Sequence, residues 1–254
     1  MANTTTSVSV AREPLLIGQT VVVIGGSAGI GLETARVARS EGADIVLTGR
    51  DPKRLEEAAR GLSARSSAAF DASDAAEVKR FFDELPAPID HVLIAAYTRR
   101  SYGPMLDSSS EEVGQSVGRR VTQVLEIARH AAPKMRAGGT LLLTGGSERP
   151  FSREYGITAA AFSVLPPFTA ALALELAPVR VNLIQAAFVD TALAASYFAD
   201  ETAVEARRDE LRATLPIRRV VGPADIAALA VHLMTNTAIT GATYDIDGGQ
   251  RLID

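Results

Sequence analysis

The sequence predicts a doubly wound α/β domain, a three-layer sandwich built on a seven-stranded parallel sheet. Three observations predict it. Strand-like apolar runs alternate with helical patterns along the whole chain, and a glycine-rich turn, Gly25 to Gly31, joins a β-branched run to a helix. No internal repeat or Pro/Gly/Ser-rich linker divides the chain. The strand-like runs are almost continuously apolar, as expected where crossover helices cover both faces of a sheet.

The first strand is expected at Thr20–Ile24, followed by the glycine turn and a helix over Leu32–Arg39. The second strand is Ala43–Thr48 and the third Ser67–Phe70. A helix over Ala75–Leu85 starts after Asp74, whose carboxylate suits an N-cap. His91–Ala96 is the fourth strand. A helical pattern from Ser109 to Arg136 stops at Gly138-Gly139, ahead of a fifth strand at Thr140–Thr144. An apolar helix, Thr158–Ala177, ends at Pro178 and leads into the sixth strand, Val179–Ile184. Pro166-Pro167 should kink or interrupt it, because proline lacks the donor and clashes with the preceding turn. A helix over Ala224–Met234 precedes the last strand, Thr243–Ile246. Residues 1–17 are Thr/Ser-rich and lack the apolar core of a signal peptide, so they read as a flexible lead-in to a single domain at 18–254.

Hydrophobic residues make up 47% and charged residues 22%, a balance that favours a packed globule over disorder. A net charge of −4 without a long basic cluster argues against nucleic acid as a partner. Cysteine is absent, and His91, His130 and His232 are scattered, so neither a disulfide nor a metal site is expected and a cytoplasmic location fits. Tyr155 to Leu174 is uncharged over 20 residues, about the length that spans a bilayer. The proline pair and the polar Thr158, Ser163 and Thr169 argue against a membrane. Burial between the sheet and a second subunit is the expectation, giving a homodimer or homotetramer, with Leu172 taken as one outward-facing residue.

The turn Gly25-Gly26-Ser27-Ala28-Gly29-Ile30-Gly31 has the composition a dinucleotide pyrophosphate requires. Gly25 permits a tight turn, Gly29 lets backbone N–H groups approach phosphates, and Gly31 allows close helix–strand contact. Ligands of such sheets bind beyond the carboxyl ends of the strands, which adds Arg50, Asp71, Ala72, Ala95, Ala96, Val189 and Thr191 to the cofactor candidates. An NAD site usually ends its second strand on an acid. Here Thr48-Gly49-Arg50 stands there, and Arg50 can clamp a ribose 2′-phosphate with Ser27, Lys53 and Arg54 nearby. That favours NADP(H) over NAD(H). The alternative is that Arg50 only opens a helix-entry turn and points to solvent, with Asp51 pairing with it or taking the hydroxyl.

The Gly-x3-Gly-x-Gly spacing, the run Leu174 to Asn182, Ile239-Thr240-Gly241 and Asp245-Ile246-Asp247-Gly248-Gly249 together resemble the short-chain dehydrogenase/reductase family from Thr20 to Gly249. The family's usual threonine before the turn is here Ile24. The resemblance implies a Rossmann-type fold and a carbonyl/alcohol oxidoreductase. It also implies that Asp71 bonds the adenine amino group, where a turn-forming or capping role is the alternative. Family members carry a Tyr-x3-Lys pair on the fifth helix, a serine after the fifth strand and an asparagine in the fourth helix. Counted back from Leu174 to Asn182, the tyrosine slot falls on Thr158, the lysine slot on Phe162 and the serine slot on Gly145, with Thr144 and Ser147 beside it. Counted back from Pro133 and Met135, the asparagine slot falls on Arg120. No shift of register supplies the lysine, because the chain's lysines are Lys53, Lys79 and Lys134.

The catalytic candidates left are Tyr155 or Ser147 as proton donor and Arg120 as a source of positive charge. The alternatives are that Tyr155 packs its ring and that Arg120 pairs with an acid such as Glu154. Tyr97 stands where the family has a glycine, and Thr191 to Leu215 stands where it carries a substrate-covering lid. Two functions follow. One is an NADP(H)-dependent oxidoreductase with a degenerate site, acting on a small-molecule carbonyl or alcohol through a non-standard proton donor. The other is a catalytically silent NADP(H)-binding sensor or partner protein.

Overall fold

Side chains alternate across a strand, so a continuously apolar strand feeds two cores at once. In the computed structural model, which describes residues 13–96, 104–146 and 155–253, this division is visible along the sheet. Val22, Ile24, Val92, Leu141 and Leu183 pack into one core, and Val21, Val23, Leu93, Leu142 and Ile184 into the other. The strands are β1 (Thr20–Ile24), β2 (Asp44–Gly49), β3 (Ser66–Ala69), β4 (Ile89–Ile94), β5 (Met135–Gly146), β6 (Arg180–Ala186) and β7 (Thr243–Ile246). They form one parallel sheet in the order β3-β2-β1-β4-β5-β6-β7. The chain winds outward from β1 to β3 and then returns to build the other half from β4. The crevice between β1 and β4 is therefore the switch point at which such sheets hold ligands.

The helices are α1 (Gly29–Ser40), α2 (Pro52–Leu62), α3 (Ala75–Glu84), α4 (Ser110–Ala131), α5 (Gly156–Ser163), α6 (Leu165–Glu175), α7 (Ala192–Ala195), α8 (Glu201–Thr214) and α9 (Pro223–Thr235). Buried residues of α3, α4, α5 and α6 complete the first core, and those of α1, α2 and α9 the second. Asp74 caps α3 as expected, accepting from Ala76 N at 2.8 Å and Glu77 N at 3.1 Å. Ser109 and Glu112 close a capping box at the start of α4.

Three expectations are corrected. The helix expected to run to Arg136 ends at Ala131, because Pro133 lies in a following 3-10 turn and Met135 already pairs with Ile89 of β4. The lead-in is not loose throughout. Leu16 is fully buried and its N–H donates to Glu41 O at 2.8 Å, so packing begins ahead of residue 18. Leu172 faces inward, with 3% of its surface exposed, while Leu174 is 84% exposed. The break expected from Pro166-Pro167 falls at Val164, where α5 gives way to α6.

Candidate active site

The glycine turn is shaped by contacts that leave no room for side chains. A Cβ on Gly25, which has φ +92°, would stand 2.7 Å from Ala96 N and 2.9 Å from Ala95 C. On Gly31 it would stand 2.1 Å from Gly25 O. The turn is thus pressed against the end of β4, and Ala95 N donates to Ile24 O at 2.8 Å. Gly29 and Thr191 meet across the crevice, at 3.4 Å from a built Cβ to the threonine methyl. Ala28 occupies the N-cap of α1, and no side chain caps that helix. Asp51, Asp74, Thr191 and Asp200 do cap α2, α3, α7 and α8.

Beyond β2, Gly49 leaves space for Ser27, whose Oγ would lie 3.0 Å from a Cβ there. Asp51 caps the start of α2. Its carboxylate accepts from Lys53 N at 3.0 Å and Arg54 N at 3.2 Å and lies 3.8 Å from Arg54 Nε. Asp71 forms a turn, accepting from Ser73 N at 2.9 Å and Ser73 Oγ at 2.8 Å. The Ser73 backbone N–H, then its hydroxyl and the charge of Arg50 hold the Asp71 carboxyl below its ordinary value, against partial burial. Arg50 is thus close enough to act on Asp71, and both are exposed at the same end of the sheet. Ala72 is buried behind them. A depression of about 430 Å3 adjoins the turn, with Ser27, Ala28, Arg54 and Ala192 among its walls.

At the other end, β5 stops on Gly145-Gly146. Two of the positions expected to carry catalysis, Arg120 and Phe162, meet here beside Gly146. The Phe162 ring lies where a Cβ on Gly146 would be, 2.7 Å from its Cε2. Arg120, 6% exposed, sets its guanidinium 4.7 Å from the centroid of the same ring. Thr158, one turn before Phe162, is buried. Gly145 is backed by Leu165 and Leu183, each 3.3 Å from a built Cβ. Gln185 Nε2 donates to Gly146 O at 3.2 Å, and Thr144 Oγ1 donates to Ile94 O at 3.1 Å. Tyr155 is half-buried at the N-cap of α5, its carbonyl accepting from Ala159 N at 2.8 Å. Ser147, Tyr97 and Glu154 lie outside the described residues.

At the end of β6, Val189 is buried and bridged to Val221, and Thr191 Oγ1 accepts from Ala194 N at 3.1 Å. Phe188 and Phe198 meet edge to face at 6.2 Å. Two contacts escape sequence reasoning. Met105 packs where a side chain on Gly156 would be, and Arg208 of α8 bonds Asp190 between Val189 and Thr191. Nothing local in the sequence signals either.

Comparison with known proteins agrees with this geometry. The family model described as enoyl-(acyl carrier protein) reductase matches residues 25–251. A short-chain dehydrogenase/reductase of Stachybotrys chlorohalonatus is 25% identical, covering 93% of this chain and 98% of its own. The 2,3-dihydro-2,3-dihydroxybenzoate dehydrogenase of Bacillus subtilis is 28% identical over 92% of this chain and 97% of its own. Among solved structures, a small-chain dehydrogenase in complex with NADPH superposes with a TM-score of 0.77 at 26% identity, covering 92% of this chain and 99% of its own. With the sheet order, the glycine turn and near full-length matches in agreement, the chain belongs to the short-chain dehydrogenase/reductase family of oxidoreductases.

Proposed function

We propose that this protein binds NADP(H) in preference to NAD(H) and, if it turns a substrate over, does so without the tyrosine–lysine pair of its family. The cradle at Gly25 and Gly31, which a single Cβ would fill, and the uncapped start of α1 support a pyrophosphate between Gly25, Ser27, Ala28, Gly29, Ile30 and Gly31. Arg50, with Arg54 and Ser27 beside it, takes the 2′-phosphate, while Asp71 and Ala72 receive the adenine. The strand order then directs the nicotinamide half away from β2 and β3, toward Ala95, Ala96, Val189 and Thr191. When bound, the cofactor supplies or accepts a hydride. Tyr155 or Ser147 holds the exchanging proton on its hydroxyl, and Arg120 contributes positive charge. The substrate is a small-molecule carbonyl or alcohol, and the protein works in the cytoplasm as a homodimer or homotetramer.

One observation carries the departure from the usual mechanism. The Phe162 ring, at the position the family spacing assigns to the lysine, closes on Gly146 with the Arg120 guanidinium over its face. A phenol with a pKa of ~10 exchanges its proton poorly at neutral pH unless a neighbouring cation lowers that value. The same packing favours a second reading, a catalytically silent NADP(H) sensor or partner protein.

Incubation with NADPH and a panel of carbonyl compounds, followed by loss of NADPH absorbance, tests both. Simple aliphatic ketones should turn over slowly, because a general acid contributes roughly 10²–10⁴-fold. Tyr155→Phe should lower any turnover and leave NADPH affinity unchanged. Tight NADPH binding with no turnover on any carbonyl favours the sensor. Rapid reduction of simple ketones by the parent protein would overturn the proposal of a degenerate site.

A further inference from the structure

The segment at the end of β6 is held from two sides. From one side, the segment between α8 and α9 holds it: Val189 bridges Val221 and Asp190 N donates to Val221 O at 2.9 Å. From the solvent side, Arg208 of α8 donates from Nε at 3.2 Å and from Nη2 at 2.9 Å to Asp190 Oδ1. Its remaining nitrogen, Nη1, donates to Glu201 at 2.9 Å and Glu205 at 3.0 Å. The guanidinium is therefore committed on all three nitrogens, and the hydrogen bond to Asp190 is the foremost cause raising its pKa above the ordinary arginine value. The other charged pairs on α8 stay within the helix, with Arg207 on Glu210 and Arg212 on Glu205 and Asp209. Arg208 alone among these arginines reaches across to a strand end.

We propose that Arg208 is a positioning residue for the nicotinamide half of the cofactor. It latches α8 to Asp190 and so fixes Val189 and Thr191, which flank that aspartate, at the mouth of the crevice. The inference rests on the reading of Val189 and Thr191 as nicotinamide-facing. The physical argument is one of preorganisation. Among the described residues the turn between β6 and α7 has a single backbone bridge, from Val189 to Val221 ahead of α9, and Thr191 also lies against Gly29 of the phosphate turn. A latched segment presents its groups without ordering them at the moment of binding, and an unlatched one has to be ordered by the ligand. Through the same ion pair, cofactor binding and the seating of α8 on Asp190 become one equilibrium.

The test compares NADPH with 2′-phospho-ADP-ribose, which carries the adenosine half and lacks the nicotinamide ring. Affinities are measured by fluorescence titration or calorimetry on the full chain. Arg208→Gln and Asp190→Asn should each weaken NADPH about tenfold, the size expected for a charge-assisted pair, and leave 2′-phospho-ADP-ribose unchanged. The double variant should be no weaker than either single one, since both remove the same contact. Arg208→Lys, which keeps the charge but not the fork, should recover part of the affinity. Equal weakening of both ligands, or additive effects in the double variant, would reduce Arg208 to general support of the fold and overturn the inference. So would unchanged NADPH affinity in both single variants. A parent protein that binds both ligands equally would instead refute the nicotinamide-facing reading, and the latch with it.

Discussion

The Arg120 guanidinium lies 4.7 Å from the centroid of the Phe162 ring, so two positions on different helices are joined by a cation over a ring face. The ring is 4% exposed and also closes on Gly146. A cation held over an aromatic face away from water gains more than one at the surface.

Phe162→Ala should therefore destabilise the fold by about 3–5 kcal/mol, since it empties a packed site and leaves Arg120 above a cavity. Urea unfolding should show a lower midpoint at an unchanged slope. A loss below about 1 kcal/mol would show that the ring is not packed as described.

Arg50→Ala should erode the preference for NADP(H) over NAD(H) by roughly ten- to a hundredfold, the loss of one charge-assisted contact worth ~1.5–3 kcal/mol. Titration of each cofactor by fluorescence checks it. Equal affinity of the parent protein for the two cofactors would remove the basis of the prediction.

The outward face of α5 and α6 presents Ala160, Pro167, Ala170, Ala171 and Leu174 to solvent in the single chain. An apolar face of this kind calls for a second copy. The parent protein should scatter light as a dimer or tetramer at micromolar concentration, and Leu174→Glu should dissociate it with the fold intact. Leu172→Glu should instead unfold it, because Leu172 is buried against the first core. A monomeric parent would refute the interface.

His91, 3% exposed, donates from Nε2 to Gln19 Oε1 at 2.7 Å. Burial pushes its pKa down to about 4, Asp90 pulls it partly back, and Arg180 adds to the depression. The folded value lies below the unfolded one of ~6.5, so the unfolded chain takes up the proton first as pH falls. Stability is full above about pH 6.5 and drains toward pH 4, with about 2 kcal/mol lost by pH 5. His91→Gln should flatten that limb in denaturant titrations at pH 7 and pH 5. Parallel pH dependences of the two proteins would exclude His91 as the cause.

The strands β1, β2 and β4 are legible because each is a short apolar run buried on both faces, whereas β3 and β7 are exposed or half-buried; Asp74 is legible as a cap because capping is local. Faces of α6 are not. Leu172 and Leu174 stand in a helix that is apolar all round, so no polar stripe marks the outside. The end of α4 was missed because Met135 continues an apolar pattern while its backbone is already paired with β4. At the site, spacing assigns the family slots to Arg120, Gly145, Thr158 and Phe162, but not how those side chains pack. Packing of Phe162 on Gly146, and of Arg208 on Asp190 eighteen residues away, depends on the assembled sheet and has no local sign.

The contact between Phe162 and Arg120 also bears on substitution. A lysine placed at position 162 would bring an ammonium to a buried guanidinium, and two unit charges some 4–5 Å apart repel by about 3–4 kcal/mol at an effective dielectric near 20. A side chain placed on Gly146, beside the serine slot at Gly145, would collide with the ring while Phe162 remains. Changes at these three positions are thus ordered: position 120 yields first, then 162, and only afterwards 146. The present combination resists a lysine at 162 or a side chain at 146 as single substitutions, because each needs its neighbour changed first.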